Sequence, residues 1–250
     1  MAQVFPLSEG TFTIGHDKRF IPFDEEKDIL EQRPTGSLLV EIQPFVIDTG
    51  KDLLVLDTGL GFRNANGELQ IHDNLRALGY EPEDVTRVLL SHLHKDHASG
   101  AMYETDNGVP LCTFPNAEYC IYRPEADYAL QTGFPSYLPA QLEPLLASKQ
   151  VRWLDGLSGD IDGYIRFEHS GGHCPQHIVY LIEQEGQRIF FGGDEAPQLK
   201  QIKMKYVAKY DFDGKKAMEL REQYVERARK EDWLFLFYHD VRTPSSKVNF

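Results

Sequence analysis

The sequence has few cysteines, few basic residues and no long apolar run. Its 250 residues contain only three cysteines, Cys112, Cys120 and Cys174, which are too few and too scattered for a disulfide framework. No apolar stretch approaches membrane-spanning length, and the start of the chain lacks the basic and apolar regions of a secretory signal. These absences predict a cytoplasmic protein with reduced thiols and argue against a membrane partner.

Acidic residues outnumber basic ones. The chain has 26 Lys and Arg against 39 Asp and Glu, which gives a net charge of -13. A surface this acidic repels phosphate backbones, so nucleic acid is not expected as a partner. Hydrophobic residues make up 41% and aromatics 12%, a composition typical of a globular protein. We expect a single domain over residues 1–250 that acts on a small molecule, and a homodimer is left open.

One short segment has an unusual density of metal-binding side chains. Residues 91–97 read Ser-His-Leu-His-Lys-Asp-His and directly follow the apolar run 88–90, which is typical of the end of a buried strand. The candidate ligands within it are His92, His94, Asp96 and His97. A strand end that continues into a tight loop can direct several side chains at one point, and imidazole with carboxylate suits zinc, iron or manganese. We interpret the segment as part of a metal site rather than a solvated polar loop.

Further ligand-type residues stand just past other predicted strands. His173 and Asp194 each follow a strand and a pair of glycines, which allow close backbone approach. His239 follows the apolar strand 234–238. Each residue alone is a weak signal, but sites in open α/β sheets lie at the carboxyl ends of strands. Three such residues in succession therefore support one shared metal site.

The remaining pattern alternates strands and helices. Predicted strands are short edge strands within 4–14, then 38–47, 53–56, 88–90, 117–122, 151–154, 164–169, 178–183, 188–191 and 234–238. Predicted helices span 71–78, 124–130, 139–147 and 215–230, and predicted hairpin turns lie at 48–51 and 184–187. Residues 20–23 are interpreted either as a loop packed on the body or as a lid over the site. The two strand-rich halves follow a similar order, which indicates a sandwich of two related sheets.

The pattern as a whole resembles the metallo-β-lactamase superfamily. The resemblance rests on Asp57-Thr58-Gly59, His92-x-His94-x-Asp96-His97, His173, Gly193-Asp194 and His239. It implies an α/β fold of four layers, an αββα sandwich in which two mixed β-sheets lie face to face with helices outside. It also implies a dinuclear metal site at one edge of the sandwich.

The resemblance further implies a ligand set. One metal ion would be held by His92, His94 and His173, and the other by Asp96, His97 and His239. Asp194 would bridge the two ions together with a hydroxide that attacks the substrate, which makes Asp96 and Asp194 the expected catalytic residues. The expected cofactors are two divalent ions, most often Zn²⁺ in such sites, with Mn²⁺, Fe²⁺ or Co²⁺ as alternatives. Asp57 is expected to orient a ligand imidazole, or else to be a plain turn residue.

Within the superfamily, the chain is similar to small lactone and organophosphate hydrolases. The similarity lies in the spacing from residues 57–61 through 74–80 to the histidine cluster. Acyl-homoserine lactonases often carry a tyrosine three residues past the bridging aspartate, but here that position is Pro197. Tyr206 or Tyr210 could substitute for it, and the lactone is not assigned.

A second departure lies beside one expected ligand. Residues 172–177 read Gly-His-Cys-Pro-Gln-His, where relatives commonly read Gly-His-Thr-Pro-Gly-His. We interpret Cys174 as a packed thiol rather than an additional ligand, because free cysteine behaves as a small buried hydrophobe. His177 is expected to be structural or to contact a ligand rather than to bind metal.

The predicted function is a metal-dependent hydrolase of an ester, lactone, phosphoester or amide bond. An oxidoreductase of the persulfide dioxygenase type, with a single iron, is one alternative. A thioester hydrolase of the glyoxalase II type is another; those relatives carry a helical substrate domain after the metal core, whereas this sequence ends soon after His239. RNA-processing relatives need a basic face, which the net charge of -13 disfavours. A non-catalytic binding module would be expected to have lost ligands.

Overall fold

The computed structural model describes residues 1–248, so the last two residues of the expected 1–250 domain lie outside the described range. Its strands, numbered in chain order, are β1 Gln3–Pro6, β2 Gly10–Ile14, β3 Phe20–Pro22, β4 Leu38–Ile42, β5 Phe45–Asp48, β6 Leu53–Leu56, β7 Arg87–Leu89, β8 Met102–Glu104, β9 Pro110–Cys112, β10 Glu118–Tyr122, β11 Val151–Leu154, β12 Ser158–Ile161, β13 Ile165–His169, β14 Ile178–Gln184, β15 Gln187–Phe191, β16 Trp233–Leu236 and β17 Ser245–Lys247. The α-helices are α1 Gln70–Ala77, α2 Lys95–Ala98, α3 Arg123–Thr132, α4 Pro139–Leu146, α5 Leu199–Lys203 and α6 Gly214–Glu231.

Two six-stranded sheets form the body of the molecule. The first has the strand order β1-β5-β6-β7-β10-β11 and the second β12-β13-β14-β15-β16-β17. Both are mixed, because β6, β7, β10 and β11 run parallel while β1, β5 and β6 pair antiparallel, and in the second sheet only the β15–β16 pair is parallel. A small sheet of β3, β2 and β4 and a β8–β9 hairpin complete the strands.

Three apolar clusters separate four layers. The cluster between the two sheets includes Phe45 of β5 and Phe191 of β15, whose ring centroids lie 6.2 Å apart. A second cluster joins the outer face of the first sheet to α1, α3 and α4, and a third joins the outer face of the second sheet to α5 and α6. Every residue of β6 is buried, as expected for a central strand covered on both faces. The expected αββα sandwich with two mixed sheets is therefore confirmed.

Helix boundaries follow local chemistry. In α6 the side chain of Asp213 accepts a hydrogen bond from the Lys216 amide at 3.0 Å, which caps the amino end. Its buried face presents Tyr224, Val225 and Ala228 to the second sheet, at the spacing of an amphipathic helix. Within residues 1–248, no helix is both long and apolar enough to cross a membrane.

The expected strand over 38–47 is wrong in one respect, because the structure divides it into β4 and β5 at Gln43 and Pro44. Proline lacks the amide hydrogen that a continuous strand would need. As a result β4 joins the small sheet while β5 lies in the first large sheet. Residues 20–22 form β3 of the small sheet instead of the irregular loop that was one of the two interpretations.

Candidate metal centre

The loop after β7 and the short helix α2 that follows it bring the first group of imidazoles together. His94 is the residue before α2 and Asp96 and His97 lie within that short helix. The His92 Nε2 atom lies 2.9 Å from His94 Nδ1, and His173 Nε2 lies 3.1 Å from the same atom. His173 comes from the loop after β13, so a contact across 79 residues of sequence closes this group. We call His92, His94 and His173 the first triad.

A second group lies beside the first. His239, which follows β16, places Nε2 3.5 Å from Asp96 Oδ2, and His97 Nε2 lies 3.6 Å from the same oxygen. We call Asp96, His97 and His239 the second triad. Ligand-type atoms within each triad lie within 4.8 Å of one another.

Asp194 stands between the two triads. It lies in a short 3-10 helix that follows β15, and its side chain is only 9% exposed. Its Oδ2 is 3.2 Å from His173 Nε2 of the first triad. Its Oδ1 is 3.2 Å from His97 Nε2 and 3.0 Å from His239 Nε2 of the second triad. One carboxylate therefore faces both groups, one oxygen to each.

Hydrogen bonds on the far side of the rings determine which nitrogens face inward as lone pairs. His239 Nδ1 contacts the Glu41 carbonyl oxygen at 2.7 Å, and because a carbonyl only accepts, Nδ1 is the donor. His173 Nδ1 donates to Asp211 Oδ1 at 2.9 Å, and His97 Nδ1 donates to Asp57 Oδ2 at 2.7 Å. In its neutral form, each ring then directs the lone pair of Nε2 towards Asp194.

Lone pairs that face a carboxylate identify the kind of group that fits. His97 Nε2 and Asp194 Oδ1 are buried and have no hydrogen-bond partner. Two electron-rich atoms 3.2 Å apart repel unless a cation or a proton lies between them. Imidazole nitrogens with carboxylate oxygens are the ligand set that zinc and similar divalent ions take in proteins. The residues present therefore fit divalent metal ions.

The five imidazoles of the two triads differ in the direction of their pKa shifts. Burial, reinforced by the neighbouring imidazoles, lowers the pKa of His92 and His94 well below the usual value for histidine. Burial also opposes the charge on His97 and His239, but the carboxylates of Asp194 and Asp96 outweigh it and raise the pKa of both rings. Burial would raise the pKa of Asp194, yet His239, His97 and His173 hold it well below its usual range. Burial opposes the charge on His173 of the first triad as well, but the carboxylates of Asp194 and Asp211 raise the pKa of that ring. In the ion-free protein, protons therefore compete for His97, His239 and His173.

Asp57 supports the triads from the loop after β6. It is fully buried and adopts a left-handed backbone conformation with φ of 53°. Besides the His97 contact, its carboxylate accepts hydrogen bonds from the Ser91 amide and hydroxyl, both at 2.7 Å. The Ser91 hydroxyl in turn lies 3.0 Å from His92 Nδ1. The expected hydrogen bond from an imidazole to Asp57 is confirmed. The same carboxylate contacts the second triad directly at His97 and the first triad through Ser91.

Three buried acids near the site were not predicted from the sequence. Asp211, with a side chain only 1% exposed, orients His173 as described above. Glu195 accepts hydrogen bonds from the Gly172 and His173 amides at 3.1 and 3.3 Å. Glu125 of α3 accepts from the Leu93 amide at 3.0 Å, between His92 and His94. Each acid fixes backbone or ring geometry in the first triad, where a mispositioned imidazole would weaken metal binding.

The two residues that depart from the family pattern have structural contacts. The Cys174 thiol is buried and lies 3.7 Å from Glu125 Oε2, outside both triads. His177 is buried as well; its Nε2 accepts from the Asp194 amide at 3.2 Å and its Nδ1 lies 2.9 Å from the Ser170 hydroxyl. Both contacts agree with the interpretation of a packed thiol and a structural histidine.

Comparison with known proteins identifies the family. The model of the metallo-beta-lactamase superfamily matches residues 41–239, so the chain belongs to that superfamily. An N-acyl homoserine lactonase from Bacillus sp is 29% identical over 226 residues, which cover 82% of this chain and 84% of the relative. The structure of AidC, a dizinc quorum-quenching lactonase in complex with a product, has a TM-score of 0.73 at 19% identity and covers 98% of this chain and 90% of that chain.

A further relative differs in length. The atrochrysone carboxyl ACP thioesterase of Passalora fulva is 29% identical over 168 residues, which cover 66% of this chain and 41% of the relative. The chain thus spans about two fifths of the thioesterase. Together with the lactonases, these similarities confirm the predicted superfamily, its lactonase-like branch and the predicted class of metallo-hydrolase.

Proposed function

We propose that the chain is a dinuclear metal-dependent hydrolase that opens the lactone ring of a small molecule. The observation that carries the proposal is the position of Asp194, whose two carboxylate oxygens each face a different triad. In this proposal the ligands are the seven residues expected from the sequence, namely His92, His94, Asp96, His97, His173, Asp194 and His239. Zinc is the favoured metal, and the dizinc lactonase with the same fold supports that choice.

The residues of this chain would determine where the hydrolysis occurs. Asp194 and the two triads would hold the ions, and the hydrogen bonds to Asp57, Asp211 and the Glu41 carbonyl keep the imidazoles in the required orientation. When bound, two divalent ions would supply polarisation of the substrate carbonyl, a water of lowered pKa and stabilisation of the leaving oxygen.

Asp96 is the side chain that we assign to proton transfer. Its carboxylate lies near both His97 and His239. The Oδ2 atom is 3.6 Å from His97 Nε2 and 3.5 Å from His239 Nε2, and neither ring forms a hydrogen bond with it. Tyr238 fixes the Asp96 backbone, because its hydroxyl donates to the Asp96 carbonyl at 2.6 Å. A held carboxylate beside the reacting atoms can accept a proton and return it to the leaving alkoxide.

Tyr210 is the phenol that we assign to contact with the substrate. Its ring centroid lies 6.2 Å from that of His173, and the Gln201 amide donates to its hydroxyl at 2.9 Å. Burial and the Asp211 carboxylate raise its pKa, so the hydroxyl remains a donor at neutral pH. We assign it a hydrogen bond to the substrate carbonyl or leaving oxygen, in the role left open at Pro197.

A thioester is the second candidate substrate, favoured by the similarity to an ACP thioesterase over 66% of this chain. The same residues would act on either bond, since both present a carbonyl with a leaving group. The single-iron dioxygenase alternative is not favoured, because two separate triads flank Asp194.

Metal-dependent hydrolysis of paired substrates tests the proposal. The purified protein is stripped with a chelator, restored with zinc, manganese, cobalt or iron(II), and assayed on matched lactones, thioesters and aryl esters. We expect no hydrolysis without metal, recovery with two equivalents per chain and the fastest turnover on a lactone. Activity that survives in metal-free protein, or oxygen consumption with one iron, would contradict the proposal. Faster turnover of the matched thioester would replace the lactone with the second candidate.

A further inference from the structure

Two lysines border the metal centre on the side of His94. Lys95 lies within the metal-binding segment itself, between His94 and Asp96. Its Nζ atom donates a hydrogen bond to the Lys18 carbonyl at 2.6 Å, and Lys18 Nζ donates to the Ser136 hydroxyl at 2.8 Å. The backbone closes the same contact, since the Lys95 amide donates to the Ser136 carbonyl at 2.9 Å. We call Lys18 and Lys95 the lysine rim.

Aromatic residues hold the rim in position. The Lys95 ammonium lies 5.5 Å from the centre of the Phe20 ring and 5.9 Å from that of Phe134, distances at which a cation is attracted to a ring face. Phe134 is 76% exposed, so this contact is at the surface of the protein. Next to Ser136, the Tyr137 ring packs on the His94 ring at 4.7 Å. The rim is thus joined to a candidate metal ligand through adjacent residues.

Neither ammonium of the rim forms a direct ion pair within the described residues. Within residues 1–248, neither ammonium lies within 4.0 Å of a carboxylate, although the chain carries 39 acidic residues. The nearby Asp17 is 3.6 Å from the guanidinium of Arg19. Each ammonium has three donors and uses one of them in the contacts above, so each retains two for a ligand.

We infer that the lysine rim binds a carboxylate of the substrate, so that the preferred substrate is an anionic ester or lactone. The inference rests on the proposed function for the reacting bond, but it concerns a different part of the substrate. An uncompensated cationic pair in an otherwise acidic protein concentrates anions locally and orients them by charge. Lys18 and Lys95 are then specificity residues, which select the substrate without touching the reacting atoms.

Binding of product-like acids tests the inference without turnover. The zinc-loaded enzyme is titrated calorimetrically with a series of linear dicarboxylates and with the monocarboxylate of equal length in each case. In the dicarboxylate and in the monocarboxylate alike, one carboxylate can bind the metal ions. The ratio of the two dissociation constants therefore reports the second carboxylate alone. We expect one chain length to bind about tenfold tighter as the dicarboxylate, the effect of one or two hydrogen bonds to a charged group. The ratio should fall as salt rises, because exposed charges are screened.

Charge-removing variants locate the effect. Lys95→Met and Lys18→Met should each bring the ratio towards one, whereas Lys95→Arg should keep most of it. Lys51→Met is the matched control, because Lys51 lies in the β5–β6 turn and its ammonium rests 5.2 Å from the Tyr164 ring, remote from the site. Thermal unfolding of each variant establishes that it is folded, and Lys18→Met provides the test if Lys95→Met is not.

Two results would overturn the inference: a ratio near one in the wild type at every chain length, or a high ratio that survives both rim substitutions. Failure of the proposed function is distinguishable. A protein that prefers dicarboxylates but opens no lactone would contradict the proposed function and support the inference about the lysine rim. A lactonase with a ratio of one would support the function and contradict the inference.

Discussion

The two triads contain similar side chains but are held in different ways. Both imidazoles of the second triad donate to oxygens in or next to strands, His97 to Asp57 directly after β6 and His239 to the Glu41 carbonyl of β4, and the Tyr238 ring stacks on His97 at 4.1 Å. In the first triad, His173 is held by Asp211, which comes from the segment between α5 and α6. The second triad is therefore built into the sandwich, and the first depends on loops from its periphery.

The difference extends to charge. In the second triad both imidazoles have a raised pKa, because the carboxylates of Asp194 and Asp96 outweigh burial. In the first triad the pKa of His173 is raised, whereas burial and neighbouring imidazoles lower the pKa of His92 and His94. Neutral imidazoles are ready to bind a metal ion, and protonated ones must first lose a proton. We therefore expect metal uptake by the second triad to weaken more steeply as the pH falls.

The largest expected effect comes from removing the residue that the triads share. Asp194→Ala should lose metal from both sites and reduce hydrolysis by about 1000-fold or more, since several kcal/mol of transition-state stabilisation depend on the ions. Metal content and rate are measured on the same preparation. Retention of two ions per chain in this variant would show that Asp194 does not join the sites.

Single substitutions at the orienting carboxylates should separate the triads. Asp57→Asn should weaken metal binding mainly at the second triad and Asp211→Asn mainly at the first, each by about 10- to 100-fold, because each removes the acceptor that fixes one imidazole. Calorimetric titration with zinc should show one weakened equivalent in each variant and two in the double variant. Asp155→Asn, which alters an exposed carboxylate paired with Arg123, is the control. Loss of the same equivalent in both variants would refute the assignment.

The pH dependence of the free energy of unfolding compares two buried carboxyl groups, one near each triad. Glu9 accepts hydrogen bonds from the Leu60, Gly61 and Phe62 amides beyond the Asp57 turn, and burial raises its pKa from 4.5 to about 7. The folded state then holds this proton more tightly than the unfolded state does. The free energy of unfolding should fall by about 3 kcal/mol as the pH rises from about 4.5 through about 7, and level off above.

Glu9→Gln should remove that contribution, so the stability difference between variant and wild type should change with pH only in this window. Urea unfolding of the metal-free proteins from pH 4.5 to 8 measures it. Glu125, whose pKa burial also raises to about 7, is the equivalent position behind the first triad. Parallel curves for Glu9→Gln and wild type would mean that the carboxyl titrates alike in the folded and unfolded states.

The smallest expected effect is at Cys174. Cys174→Ser should keep both metals and most of the activity, with a loss of stability of about 1 kcal/mol, because the thiol packs against Glu125 and is not in either triad. Metal content and thermal unfolding measure the two quantities. A variant that lacks one equivalent of metal would make the thiol a ligand.

The ligand-type residues could be recognised in the sequence because they follow predicted strands. Strand ends are local features, and His173, Asp194 and His239 each stand just past such a strand. The assignment of ligands to two triads needed the family resemblance as well, since spacing alone does not say which strand ends meet. Strands β3, β8, β9, β12 and β17 were not predicted, because each has only three or four residues.

The buried acids that support the site were beyond sequence reasoning for a different reason. Asp211 and Glu125 contact residues 38 and 32 positions away, and an acid in a loop or on a helix is normally solvated. Only the three-dimensional arrangement shows that they are buried. For Glu195, the sequence shows one relevant feature, its position directly after Asp194.

Anomalous diffraction from zinc-loaded crystals, recorded on both sides of the zinc edge, tests the central claim most directly. We expect two peaks of comparable height, one beside His92, His94 and His173 and one beside Asp96, His97 and His239, with the Asp194 carboxylate between them. A single peak, or two peaks of which neither touches Asp194, would contradict the dinuclear site.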